Sequence, residues 1–313
     1  MTFDLAAIEA PFRMQPGLRR ITDGEPQLTP NGPDADVLRA KLAVLSAHPH
    51  QALGVVAGFD PAPALRALGE HAAREHPHAW RADAPDRVEA LRLGWSIERD
   101  QPRGPGPAAI GACLRALPAH WRVAGLLCLA FAEDFAILDA ASGGIPWLAV
   151  CLPSHWAPED KLGRHFTEVH APVADNAALL AAAPALTALV TGPSRWQRHV
   201  WTLTPAAGYD AHPRRVLATP WPLDLEPAAL AARTWLRSER QTFIPVPGAG
   251  QAVFTIRIDL QPLTAAVATP ADAARVHAAL ASMSPAVLAY RRLTEVRAPL
   301  LEWLSALAAR AGA

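Results

Sequence analysis

Val253 to Leu260 reads VFTIRIDL, in which Phe254, Ile256, Ile258 and Leu260 alternate with Val253, Thr255, Arg257 and Asp259. A two-residue period rich in β-branched and aromatic side chains specifies a strand with one apolar and one mixed face. Working outward, Trp196 to Thr204 (WQRHVWTLT), Asp134 to Asp139 (DFAILD) and Ile145 to Leu152 (IPWLAVCL) have the same character. Ser142-Gly143-Gly144 makes the last two a hairpin, and PVPGAG at Pro245 to Gly250 makes another from Thr234 to Ile244 and Val253 to Leu260. Between the hairpins, Pro158 to Val190 is cut into short helices by Gly163 and Pro172, with Asp175 placed to cap the longest.

Upstream, residues 1–33 are rich in Pro and Gly and read as an extended arm. From Asp34 to about Leu117 the pattern is helical: Leu38, Leu42 and Leu45 share a face, and Leu65 and Leu68 repeat the spacing. QPRGPGP at Gln101 to Pro107 then punctuates the chain. Downstream, Thr269, Pro270 and Asp272 form a capping box, and Val296, Leu300, Trp303 and Leu307 make a helical stripe. The expected organisation is an arm at 1–33, a helical region at 34–120, a core at 121–265 and C-terminal helices at 266–313. Two strands, short helices and three antiparallel strands is the order of a PAS domain. The expected class is therefore α+β, a PAS-like antiparallel sheet whose short helices form a ligand or haem pocket, flanked by helices at both ends.

Composition narrows the function. The 313 residues carry 29 Lys+Arg against 29 Asp+Glu, so there is no basic footprint for nucleic acid or an anionic membrane. The longest uncharged apolar stretch, Ala177 to Val190, falls short of the ~20 residues of a membrane helix. Asp4 and Glu9 occupy a start that lacks a secretory pattern, so a cytoplasmic protein is expected. Cys113, Cys128 and Cys151 are scattered in apolar surroundings, which fits buried thiols rather than disulfides or an iron-sulfur motif. The sequence has no GxGxxG, Walker loop or GxSxG elbow.

Two polar constellations stand out. Pro153 to Asn176 (PSHWAPEDKLGRHFTEVHAPVADN) holds His155, His165 and His170. A zinc or non-haem iron site is weakened by spacing, since five residues turn a helix by about 140° and separate His165 from His170. His48, His50, His71, His76 and His78 sit among Pro and Ala and read as solvated. The second constellation is WLRSERQTF, Trp235 to Phe243. Alternation puts Arg237 and Glu239 on one face and Arg240 on the other. These residues either pair as ions at a sheet edge, or a guanidinium binds a carboxylate such as a haem propionate while Glu239 holds a cationic substrate.

LPSHWAPEDKLGRHFTEVHAPVADN, WQRHVWTLT, WLRSERQTF, VFTIRIDL, SMSP at Ser282 to Pro285 and the opening PFRMQPGLRRI together resemble the α subunit family of haem-dependent oxidative N-demethylases. The resemblance implies a PAS-like haem domain that oxidises a secondary amine such as dimethylamine with O₂ to a primary amine and formaldehyde. It implies electrons from NADPH through FMN and [2Fe-2S] on flavin/iron-sulfur reductase partner subunits. The family's iron ligand is a histidine, expected here at His170, with His165 second and His155 third. Arg237, Arg240 and Arg257 are the expected propionate partners, and Glu239, beside Arg237, the expected amine site. A PAS-type haem or small-ligand sensor and a subunit without haem are the alternative functions.

Overall fold

The structure, a computed structural model, describes residues 3–84 and 86–312. Its strands are β1 (Arg19–Arg20), β2 (Leu53–Val55), β3 (Trp80–Ala84), β4 (Arg87–Ala90), β5 (Trp95–Glu98), β6 (Gln101–Arg103), β7 (Asp134–Asp139), β8 (Gly144–Ala149), β9 (Trp196–Thr204), β10 (Trp235–Val246) and β11 (Gln251–Pro262). Among the described residues they form two antiparallel sheets, a seven-stranded one ordered β1-β9-β10-β11-β7-β8-β2 and a four-stranded one ordered β3-β4-β5-β6. Helices flank both, giving a mixed α/β molecule. None of them is long and apolar enough to cross a membrane among the described residues.

The alternation in β9 to β11 is realised with one register. Glu239 lies opposite Val200 and Ile258, Gln241 opposite Arg198 and Ile256, and Arg237 opposite Thr202 and Leu260. Residues directly opposite share a face, so these side chains form one surface. Gln197, His199, Trp201, Arg240, Thr242, Thr255 and Arg257 form the other. Phe254 extends the first surface towards Phe243 on β10 and Ala136 on β7.

The main core lies on the second face. Phe135, Ile137, Trp147 and Val253 pack with Leu126, Leu127 and Leu129 of the helix Arg122–Ala130 and with Leu38 and Leu45 of the helix Asp36–Ala47. Each such fully buried side chain contributes about 1.5–3 kcal/mol. A second core joins Trp201, Leu203 and Leu236 to Val276, Leu280, Leu300 and Leu304 of the C-terminal helices, with Leu5 and Ile8 of the arm. The Thr269 capping box forms as its sequence requires, Asp272 N donating to Thr269 Oγ1 at 3.1 Å.

Three expectations are corrected. Residues 80–103, expected to be helical, form the four-stranded sheet. Its turns use Gly94 at φ 65° between β4 and β5 and Arg99 and Asp100 at φ 47° and 61° between β5 and β6, left-handed conformations that break the extended run. His71 is not solvated but buried, its Nε2 2.9 Å from Glu75 Oε1, and His76 Nε2 lies 2.8 Å from Leu28 O. The same Glu75 accepts from the backbone N–H groups of Gln27 and Leu28, so it ties the arm to the helix Ala62–Glu75. Asp175 caps no helix: at φ 53°, its Oδ2 accepts from Ser284 Oγ at 2.6 Å. The three cysteines are free and buried as expected.

Candidate functional site

The segment from Trp156 to Val190 crosses the first face of the large sheet and is pinned at its ends. Trp156 and Leu162 pack on Ala136, Leu148 and Val150 at the β7–β8 side. Val190 packs on Phe243 and Ala252, with Trp196 beside them, at the other side. Between the pins stands the helix Phe166–His170, which buries none of its residues. Opposite it, Arg198, Val200, Glu239 and Gln241 are only half-buried, although they sit on inner strands. The arrangement is a cleft with a helical wall and a sheet floor.

His170 closes the helical wall. Its Nδ1 lies 2.8 Å from Phe166 O, so Nδ1–H donates to that carbonyl and the lone pair is left on Nε2. Its ring stacks on Phe166 with centroids 4.1 Å apart. Burial, together with the neighbouring cations Arg198 and Lys161, holds its pKa below the usual imidazole value, the more so because only the carbonyl of Phe166 opposes them. A neutral imidazole with a fixed tautomer is the form that ligates a metal.

The floor carries Glu239 and Arg198. Glu239 Oε2 accepts from Gln241 Nε2 at 2.6 Å, two residues along the same face. Arg198 Nε is buried without a hydrogen-bond partner, and the guanidinium has no ion pair among the described residues. Burial lowers its pKa, and the charge of Glu239 partly restores it. Trp196 Nε1, on the same strand face, is likewise buried without a partner. Lys161, whose Nζ donates to Val169 O at 3.0 Å, stands on the helical side. Tyr290 and Arg291 reach the rim from the C-terminal region. Burial raises the tyrosine, and the charge of Glu239 adds to that. Arg291 donates to Trp201 O and stacks over the Phe12 ring at 4.5 Å, so it closes the free edge of β9.

The other sequence candidates lie elsewhere. Arg237 is 2% exposed and does not pair with Glu239. Its guanidinium donates to Ser154 Oγ at 2.8 Å and to the carbonyls of Leu152, Pro153, Gly208 and Tyr209. Arg240 occupies the opposite face, donating to Gln197 Oε1 at 2.9 Å and to Pro26 O of the arm, with Arg257 beside it in register. His165 caps its own helix: Nδ1 accepts from Thr167 N at 3.3 Å, and the backbone N–H donates to Glu168 Oε2. His155 sits in a left-handed turn at φ 62°, where crowding by protein atoms and then Arg237 and Arg292 lower its pKa to about 4. The structure thus brings together His170 and Glu239 with Arg198 and Lys161. Neither of the last two stands out in the sequence. Arg198 has a signal only once the β9–β10 register is known.

Two other features compete with this cleft. Cys128, Asp134 and Cys151 place their ligand atoms within 4.8 Å of one another, fully buried. There Lys41 Nζ lies 3.0 Å from Asp134 Oδ1 and donates to the Phe131 and Glu133 carbonyls, so an ammonium already neutralises the carboxylate. Contact with Cys128 and burial push the Cys151 thiol well up, away from the thiolate that a metal needs. A groove of about 550 Å³ among the C-terminal helices, lined by Glu226, Val267, Trp303 and Leu307, has no histidine in its wall.

The cleft thus pairs an oriented imidazole with a guanidinium whose buried Nε has no partner. Residues 38–301 match the family model described as haem-dependent oxidative N-demethylase, alpha subunit-like, so the chain belongs to that family of haem-dependent, multi-subunit enzymes.

Proposed function

We propose that the chain is the haem-binding subunit of an oxygenase that removes a methyl group from a small secondary amine such as dimethylamine. The observation that carries this reading is His170, with Nδ1–H spent on Phe166 O and Nε2 free beside the sheet floor. The central strands β7 to β11 support a PAS-like description, because their order β9-β10-β11-β7-β8 puts the first and last of the five side by side in the middle. Haem bound through His170 Nε2 would supply the iron that activates O₂, with electrons arriving from NADPH through FMN and [2Fe-2S] on reductase subunits.

The chain's own residues have definable work. A dialkylamine is protonated near neutral pH, and bringing it into a cleft requires a compensating charge. Glu239 supplies that charge on the floor. Gln241 fixes Oε2, which leaves Oε1 to accept from an ammonium N–H. Arg237 holds the chain at Leu152 to Ser154 and at Gly208 to Tyr209, so its guanidinium is engaged in structure and not in this reading. Arg240 and Arg257, on the far face, are not used in this reading.

The test is a titration of dimethylamine into the haem-loaded protein and into Glu239→Gln, read from the haem spectrum. Loss of one charge-assisted hydrogen bond should weaken amine binding roughly ten- to a hundred-fold in the variant. Equal affinities would remove Glu239 from the site. No response from either protein would favour a haem sensor with another ligand.

A further inference from the structure

Arg198 poses a physical problem. Its Nε is shielded from water, makes no hydrogen bond and has no carboxylate in ion-pair contact among the described residues. Leaving a buried guanidinium N–H without a partner costs free energy that a bound carboxylate would recover. Glu239 acts on Arg198 through its charge but makes no ion-pair contact with it, its Oε2 accepting from Gln241, the residue opposite Arg198. Lys161 stands across the cleft, its Nζ held by Val169 O, one residue before His170. Burial lowers its pKa and Arg164 adds to that, while only Asp160 opposes. Lys161 and His170 thus share the helical side, and Arg198 lies on the sheet.

Arg198 has no ion-pair partner on the floor among the described residues, and Lys161 spends its Nζ on a backbone carbonyl. We infer that Arg198 and Lys161 take the two carboxylates of the porphyrin that His170 ligates. This inference rests on the haem reading above. Arg198 offers a planar fork suited to a carboxylate, and Lys161 a point charge on a flexible stem that already points along the helix carrying His170. The assignment replaces the expectation at Arg237, Arg240 and Arg257. The first of these is buried and engaged by Ser154 and four backbone carbonyls, and the other two lie on the opposite face of the sheet.

The test compares haem with haem dimethyl ester, in which both carboxylates are masked, by spectroscopic titration of the unmodified protein, Arg198→Ala, Lys161→Ala and Arg240→Ala. Unmodified protein should bind the ester roughly ten- to a hundred-fold more weakly than haem. Arg198→Ala should bind haem more weakly and lose most of the discrimination against the ester, Lys161→Ala should lose part of it, and Arg240→Ala should keep it whole. The comparison in unmodified protein needs no substitution, so a variant that fails to fold leaves it intact. Equal binding of haem and ester by unmodified protein, or full discrimination in Arg198→Ala, would overturn the assignment while leaving the haem reading in place. Binding of neither by unmodified protein would overturn both.

Discussion

Arg237 and Glu239 are two residues apart on one strand face, and the molecule uses them for different things. The alternation in WLRSERQTF places them correctly, but their partners come from other parts of the chain. Arg237 staples the residues after β8 to the loop after β9, and neither segment can be located from the strand's own sequence. Its replacement by Ala strands several buried carbonyls, and unfolding in urea should show a loss of about 2–4 kcal/mol. A loss below 1 kcal/mol would mean that water takes over those carbonyls. His199, on the opposite face, makes a pH-dependent contribution. Burial, then Arg240 and Arg19, lower its pKa to about 4 from the ordinary imidazole value of 6.5. Between those values the unfolded chain holds a proton that the folded one refuses, so stability is complete above pH 6.5 and declines as pH falls towards 4. With the ring only half-buried, the decline should be about 1–2 kcal/mol, and His199→Gln should flatten that part of the stability profile. An unchanged slope in the variant would assign the decline to other groups.

The strands of the large sheet are legible because each is long enough to show its period. WQRHVWTLT coincides with β9, and VFTIRIDL lies inside β11. The small sheet is not legible: β3 to β6 run three to five residues each, too short for a period to emerge from the surrounding alanine-rich pattern. What fixes it is packing. Trp95 of β5 lies flat against Gly111 in the helix Ala108–Ala116, where an added Cβ would come within 2.2 Å of the indole. Gly111→Ala keeps an ordinary helical backbone and so isolates that steric conflict. It should destabilise by about 1–3 kcal/mol although alanine is the better helix former. A stabilised variant would show that Trp95 can move aside. The helix Phe166–His170 presents the reverse case, with boundaries readable from Gly163 and Pro172. Its lack of any buried residue belongs to the assembled cleft and not to its five-residue sequence.

Taken whole, the molecule buries apolar side chains on both faces of the large sheet, Phe243, Ile256 and Ile258 on the first among them. The arm, the helices Asp36–Ala47, Ala62–Glu75 and Arg122–Ala130 and the small sheet fill the second face of the large sheet with apolar side chains. The first face keeps half-buried polar residues under a segment pinned only at its ends. The sequence singles out Pro153 to Asn176, where three histidines meet helix breakers, and that segment forms the helical side of the proposed site. It cannot rank those histidines, since rank depends on which ring nitrogen is already engaged. His165 spends Nδ1 on its own helix cap and His170 spends Nδ1 on Phe166 O, but only His170 lies beside Arg198 on the sheet floor. The most direct measurement is the ultraviolet-visible spectrum of haem-reconstituted protein alongside His170→Ala, His165→Ala and His155→Ala. A Soret band is expected in unmodified protein, abolished or shifted in His170→Ala and preserved in the other two variants. An unaltered Soret band in His170→Ala, or none in unmodified protein, would contradict that expectation.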